Sequence, residues 1–231
     1  MGVSDNIIFT IATWAIPLIL AIVFHEVAHG YVARRFGDPT AARLGRLTLN
    51  PFKHVDPFGT VILPMMLAVM KAPIFGWARP VPVDPRNLRH PRRDMMVVAA
   101  AGPLTNFVLA LIGAVLLGIA FLAFRGTEPS LPARFVVMNL VNFLSINVFL
   151  GMFNLLPIPP FDGSKVVQGF LPEGAAQLFD QLERYGLIIF AVIILLLPKL
   201  LGFDLIERVV MPPFGWAMEQ LLGIVKAIAG N

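Results

Sequence analysis

The sequence predicts an all-α polytopic membrane protein with about four to six transmembrane helices, a re-entrant segment and a small membrane-edge β-hairpin. Three observations carry that expectation. Of the 231 residues, 57% are hydrophobic and only 14% are charged, where a soluble domain has roughly 45–50% and about 25%. The apolar residues fall in blocks long enough to cross a hydrocarbon core about 30 Å thick. The basic residues gather between particular blocks, the pattern of cytoplasmic loops.

The first block, residues 7–32, is about 39 Å long as a helix. Residues 95–124 and 135–156 are the next full-length blocks, and 186–201 is a shorter one interrupted by Pro198. The tail, 213–229, is apolar but carries Glu219 and Lys226. Both a span and an interfacial amphipathic helix fit it. Residues 58–72, FGTVILPMMLAVMKA, are too few for a comfortable span and contain Pro64. Arg34, Arg35, Arg43, Arg46 and Lys53 precede this stretch; Arg79, Arg86, Arg89, Arg92 and Arg93 follow it. Both flanks therefore belong in the cytoplasm, and the stretch should dip in and return, shielded by protein. That puts the N-terminus outside, together with the loop 125–134 and its Glu128. Between the first block and the re-entrant stretch, RLGRLTL (43–49) alternates well enough for an edge strand.

There is no cysteine, so neither a disulfide framework nor a thiolate metal site is available. Any metal must be held by His, Asp or Glu. Met1-Gly2-Val3-Ser4-Asp5 lacks a positive n-region and no small-residue cleavage site follows the apolar run, so a signal peptide is not expected. A net charge of +4 is explained by cytoplasmic loops, and no nucleic-acid partner is expected.

The chemistry begins at HEVAH, residues 25–29, inside the first block. His25 and His29 stand at i and i+4, so their rings share one helix face and can reach one metal ion. Glu26 points to the side, where it can act on a water without being a ligand, as in HExxH zinc hydrolases. Core histidines bonded to neighbouring helices are the structural alternative, but ionisable groups inside a membrane are costly and usually functional. A zinc site needs a third protein ligand. His54, His90 and the carboxylates are candidates, and NLLPIPPFDG (154–163) singles out Asp162. Prolines 157, 159 and 160 end the third block, leaving Asp162 on unwound backbone before Gly163, at the same depth as HEVAH. An ordinary helix-capping aspartate is the other reading of Asp162.

HEVAH, followed far downstream by Asn154, Pro157, Asp162 and Gly163, resembles the site-2 protease family of intramembrane zinc metalloproteases. The segments GRLTLNPFKHVDPFG (45–59), WARPVPVDP (77–85) and AGPLTN (101–106) resemble its compact prokaryotic branch, without PDZ or CBS domains. The resemblance covers residues 21–172, with one departure: Phe161 replaces the usual Leu before Asp-Gly. It implies a single membrane-embedded metalloprotease domain over 1–231, with a core of 7–172 and C-terminal helices over 186–229. It further implies one Zn2+ per chain on His25, His29 and Asp162, with Glu26 as the base. Asn154 would lie near the metal and donate to a substrate carbonyl or oxyanion. Asn106 can do similar work or simply join packed spans. His54 is either a substrate-side residue or a structural one at the mouth of the re-entrant stretch, and His90 is interfacial. Gly102 allows close helix approach.

The implied function is zinc-dependent endoproteolysis of another protein's transmembrane segment, near the cytoplasmic side of a prokaryotic cell membrane. Strands around 43–49 and 78–83 would hold that segment extended. Rival functions are a membrane zinc hydrolase of a lipid or small amide, a non-catalytic metal-binding relative, and a metal transporter. A transporter should carry ionisable groups along several spans, yet 95–124 offers only Thr105 and Asn106 as polar side chains, and the third block carries Asn139, Asn142 and Asn147, none of which can ionise. A pseudoenzyme should have lost Glu26 or a ligand.

Overall fold

The structure is a computed structural model that describes residues 7–70, 76–126, 130–202 and 204–230. The N-terminal pentapeptide, the last two residues of the re-entrant stretch and Glu128 lie outside the described residues.

Three helices are long and apolar enough to cross a membrane: α1 (Ile7–Arg35), α4 (Pro91–Ala123) and α5 (Leu131–Asn154). They match the three full-length blocks. Between the first two lie the single turn α2 (Thr40–Arg43) and the short α3 (Leu63–Val69). After α5 come α6 (Asp162–Phe170), α7 (Glu173–Glu183), α8 (Gly186–Ala191), α9 (Leu197–Leu201) and α10 (Met211–Ala229).

The centre of the fold is α4, against which α1, α5, α6 and α10 all pack. Its buried face is built largely from small residues, among them Ala99, Gly102, Ala110, Gly113 and Ala114. Lipid removes the hydrophobic drive for helix association, so close approach of backbones through small side chains has to supply the attraction. The large apolar residues, such as Trp14, Leu104, Leu111 and Leu122, are exposed, as they must be where the surroundings are acyl chains. Asn142 Nδ2 donates to Thr13 O at 2.8 Å, a buried polar tie between α5 and α1.

The stretch expected to re-enter is helical in its described part. A helical run from Pro57 through Val69 is about 20 Å long, short of the bilayer core. The chain beyond it returns to the start of the run: the Trp77 N–H donates to Gly59 O at 3.1 Å, and Thr60 Oγ1 donates to Trp77 O at 2.8 Å.

The fourth block, 186–201, is divided into α8, a wide π-type turn (Val192–Leu196) and α9. Pro198 explains the break, since its ring clashes with the carbonyl four residues back and it has no N–H to give. The segment is not among the helices long and apolar enough to span. The tail lies alongside α4 rather than across its end. Near its start Phe214 meets Phe149 of α5, and near its end Ile228 packs into the space left by Gly118 of α4.

The small β-hairpin is not formed; among the described residues there is no strand. Residues 43–49 leave α2 through Gly45, at φ +62°, and a series of bends. Residues 77–84 run as isolated extended chain. The reason is a shortage of ladder donors. Pro80 and Pro82 have no N–H, the Arg79 N–H is taken by His54 O at 2.8 Å, and the Arg46 guanidinium caps Arg79 O at 2.9 Å. The two segments are joined by a side chain instead of a backbone ladder.

Candidate metal centre

The i, i+4 spacing on α1 turns the rings of His25 and His29 toward one point, with their Nε2 atoms 3.0 Å apart. Asp162, 133 residues beyond His29 in the sequence, arrives on the first residue of α6 rather than on unwound backbone. Its Oδ2 lies 3.1 Å from His25 Nε2 and 3.3 Å from His29 Nε2. Two features hold it there. Phe161 packs edge-on against Phe153 (4.5 Å between centroids) and Phe190 (5.6 Å), so the residue that replaces the usual Leu is an apolar anchor. At Gly163 any Cβ would run into the carbonyls of Leu155 and Leu156. This glycine serves close approach; its φ is not left-handed.

Both imidazoles are buried, and each is held from behind. His29 Nδ1 donates to Val98 O at 2.7 Å, and His25 Nδ1 faces Asn106 Oδ1 at 2.6 Å. Acceptors behind the rings require protons on both Nδ1 atoms, which in the neutral rings leaves a lone pair on each Nε2. Two nitrogen lone pairs and a carboxylate oxygen therefore face one another, and Asp162 Oδ2 is buried with no hydrogen-bond donor. Such a cluster calls for a cation. The edges of 3.0–3.3 Å suit a tetrahedral ion with bonds of about 2.0–2.1 Å, whose ligand–ligand edge is about 3.3 Å. Gly102 of α4 completes the cradle, because a Cβ there would fall on both imidazoles.

The three residues open onto a cavity of about 660 Å³ that Glu26, Asn154, Lys165 and Glu183 also line. Lys165 Nζ and Glu183 Oε1 form an ion pair at 2.8 Å. One wall is the extended segment 76–83, and from it the Val81 N–H donates to Glu26 Oε2 at 2.7 Å. Asn154 Nδ2 donates to Leu150 O at 3.0 Å.

Two expected substrate-side residues lie elsewhere. Asn106 is fully buried behind His25 and is not among the cavity-lining residues, although Met95, Val98 and Ala99 of the same helix are. His54 is buried, donates from Nε2 to Thr48 O at 2.8 Å, and is not among the cavity-lining residues. Sequence reading did not single out Val81, whose contact with Glu26 is made by a backbone N–H and leaves no side-chain signal. Nor did it assign a role to Asn147, an amide without motif spacing.

Two histidines and a carboxylate around one point, with a further glutamate beside them in a membrane helix, define the donor set of a membrane metallohydrolase. The model of peptidase family M50 matches residues 13–131 and 126–197, and the chain belongs to that family, the site-2 protease family of zinc metalloproteases. YwhC of Bacillus subtilis (strain 168) is 42% identical over 184 residues, 77% of this chain and 78% of its own. Rip2 of Mycolicibacterium smegmatis is 31% identical over 194 residues, 84% of this chain and 68% of its own. Both carry the name "Putative zinc metalloprotease". "Zinc metalloprotease MJ0392" of Methanocaldococcus jannaschii is 25% identical over 174 residues, 74% of this chain but 38% of its own. No solved structure matches the chain.

Proposed function

We propose that this protein is a zinc-dependent intramembrane endopeptidase that cleaves the transmembrane segments of other membrane proteins, with its site towards the cytoplasm. One observation carries the reading: the convergence of His25 Nε2, His29 Nε2 and Asp162 Oδ2 within 3.3 Å of one another, beside Glu26 and an open cavity. His25, His29 and Asp162 would hold one zinc ion. When bound there, zinc supplies the Lewis acidity that brings the pKa of a water towards neutrality and polarises a carbonyl.

The remaining steps belong to the chain's own residues. Glu26, next to a ligand but held outside the ligand cluster, accepts the proton of the attacking water and passes it to the leaving amine. The Val81 N–H keeps that carboxylate turned towards the cavity. Asn154 has one Nδ2 hydrogen beyond the one given to Leu150 O, and that hydrogen suits a substrate carbonyl. The extended wall 76–83 accommodates a peptide lying unwound beside it, the conformation a scissile bond must adopt. The exposed apolar residues of α1, α4 and α5 support a substrate that arrives through the bilayer.

The test is cleavage of a single-pass reporter by the purified protein in liposomes, native against Glu26→Gln. Cleavage by the native chain should be lost in the variant while one bound zinc is kept. Equal cleavage by both would remove Glu26 from the mechanism.

A further inference from the structure

Behind His25, on the side away from the cavity, lies a chain of amides that the reaction does not touch. Asn147 Nδ2 donates to Phe143 O, one turn back on α5, at 2.8 Å. That bond decides which way the Asn147 amide points, and its Oδ1 therefore faces α4. There it accepts from Asn106 Nδ2 at 2.8 Å, whose other hydrogen goes to Ala21 O of α1 at 3.3 Å. With both Nδ2 hydrogens committed, only Oδ1 of Asn106 is left for His25, and it stands 2.6 Å from Nδ1. Both asparagines are fully buried, so no water can substitute for a partner, and turning either amide over would set a donor against a donor.

We infer that Asn147 and Asn106 are positioning residues that set the tautomer of His25: a backbone carbonyl of α5 dictates, through two amides, that the proton sits on Nδ1 and the lone pair on Nε2 faces the metal. The inference rests on the proposed zinc site and adds residues that no motif in HEVAH or in 154–163 contains. Its physical content is directional. A neutral imidazole free to choose would spend part of its population with the proton on Nε2, where it cannot bind a metal. The relay removes that population and fixes the ring plane, the task that outer carboxylates and carbonyls perform for metal-bound histidines. Asn147 does this from a third helix, so metal affinity depends on how α5 packs against α4.

The experiment uses the full-length protein in detergent with 15N-labelled histidine, the His25 signals being identified by their loss in His25→Gln. Long-range 15N–1H correlation, before and after zinc is chelated, should show His25 protonated at Nδ1 in both states. A His25 protonated at Nε2 and bare at Nδ1 in the chelated native protein would overturn the inference without any variant being made. Asn147→Leu, which removes the acceptor for Asn106, should give mixed tautomers and bind zinc about 10–100-fold more weakly in chelator competition. Asn147→Asp should restore both, because a carboxyl buried here stays protonated and reproduces the amide's one donor and one acceptor. Unchanged tautomer and affinity in Asn147→Leu would likewise overturn it. A native protein that binds no zinc, with His25 still protonated at Nδ1, would instead count against the proposed function.

Discussion

The Val81 N–H donates a 2.7 Å hydrogen bond to Glu26 Oε2, so the side chain next to His25 is held by the backbone of a segment 55 residues away. Val81 itself is buried, and its Cγ1 occupies the space that a side chain at Gly30 of α1 would need. The extended segment is thus seated on the same helix whose glutamate it orients.

Removing that donor should separate catalysis from metal binding. Val81→Pro deletes the N–H between two residues that are already proline. A hydrogen bond to a charged group contributes about 1.5–3 kcal/mol. We therefore expect reporter cleavage to fall about tenfold or more, with zinc stoichiometry unchanged. Val81→Ala, which keeps the N–H, should retain most of the activity. An equal loss in both variants would mean that packing, not the hydrogen bond, matters.

Gly102→Ala should act on the metal directly. Its methyl would overlap the ligating edges of both imidazoles, and helix backbone cannot yield as a side chain can. Overpacking a tight site costs about 1–3 kcal/mol, so zinc affinity in chelator competition should fall about 5- to 150-fold. Gly118→Ala, on the same helix but against Ile228 of α10, should leave zinc affinity unchanged.

Metal removal should be reversible and should report on Asp162. Chelation should abolish cleavage by the native protein, and added zinc should restore it. Asp162→Ala should hold no stoichiometric zinc, because two imidazoles alone leave the site short of the usual three protein ligands. Retention of one tightly bound zinc by this variant would place the third ligand elsewhere.

Asp38, just beyond α1, gives a pH prediction. Burial alone would raise its pKa, but hydrogen bonds donated by Thr40, Asn87 and the Asp84 N–H outweigh burial and hold the carboxyl below its ordinary value. A folded pKa below the unfolded one means the stabilisation is complete above the unfolded value, about 3.9, and is lost as pH falls through the folded one. Asp38→Asn should be less stable by about 1–3 kcal/mol at neutral pH. The gap between variant and native, measured by unfolding in detergent, should hold above about pH 5 and narrow below about pH 4.

The parts of the fold legible in the sequence are those whose physics is local. Three long apolar blocks became α1, α4 and α5 because hydrophobic length alone decides a span. His25 and His29 could be paired from their spacing, since a helix puts i and i+4 on one face whatever surrounds it. Misreadings arose where the deciding partner was distant in sequence. The alternation in 43–49 suggested a strand, yet prolines and an arginine cap in 79–82 left no ladder for it to join. Asn106 was open to a substrate-side role or to joining packed spans, because a motif does not say which side of a histidine an amide will approach. His54 carried the same ambiguity, and burial resolved it towards Thr48.

The sequence by itself determined that this chain belongs in a membrane, that no thiolate site is available to it, and that HEVAH lies within its first span. Only the tertiary structure decided that Asp162 closes the cluster, that Val81 holds Glu26, and that Asn106 and Asn147 stand behind His25. Spacing along one helix is set by covalent geometry and can be counted. The approach of α6, α4 and the extended segment to α1 is set by which small residues let backbones close and which polar groups need partners. Those are properties of pairs of surfaces that no single stretch of sequence contains.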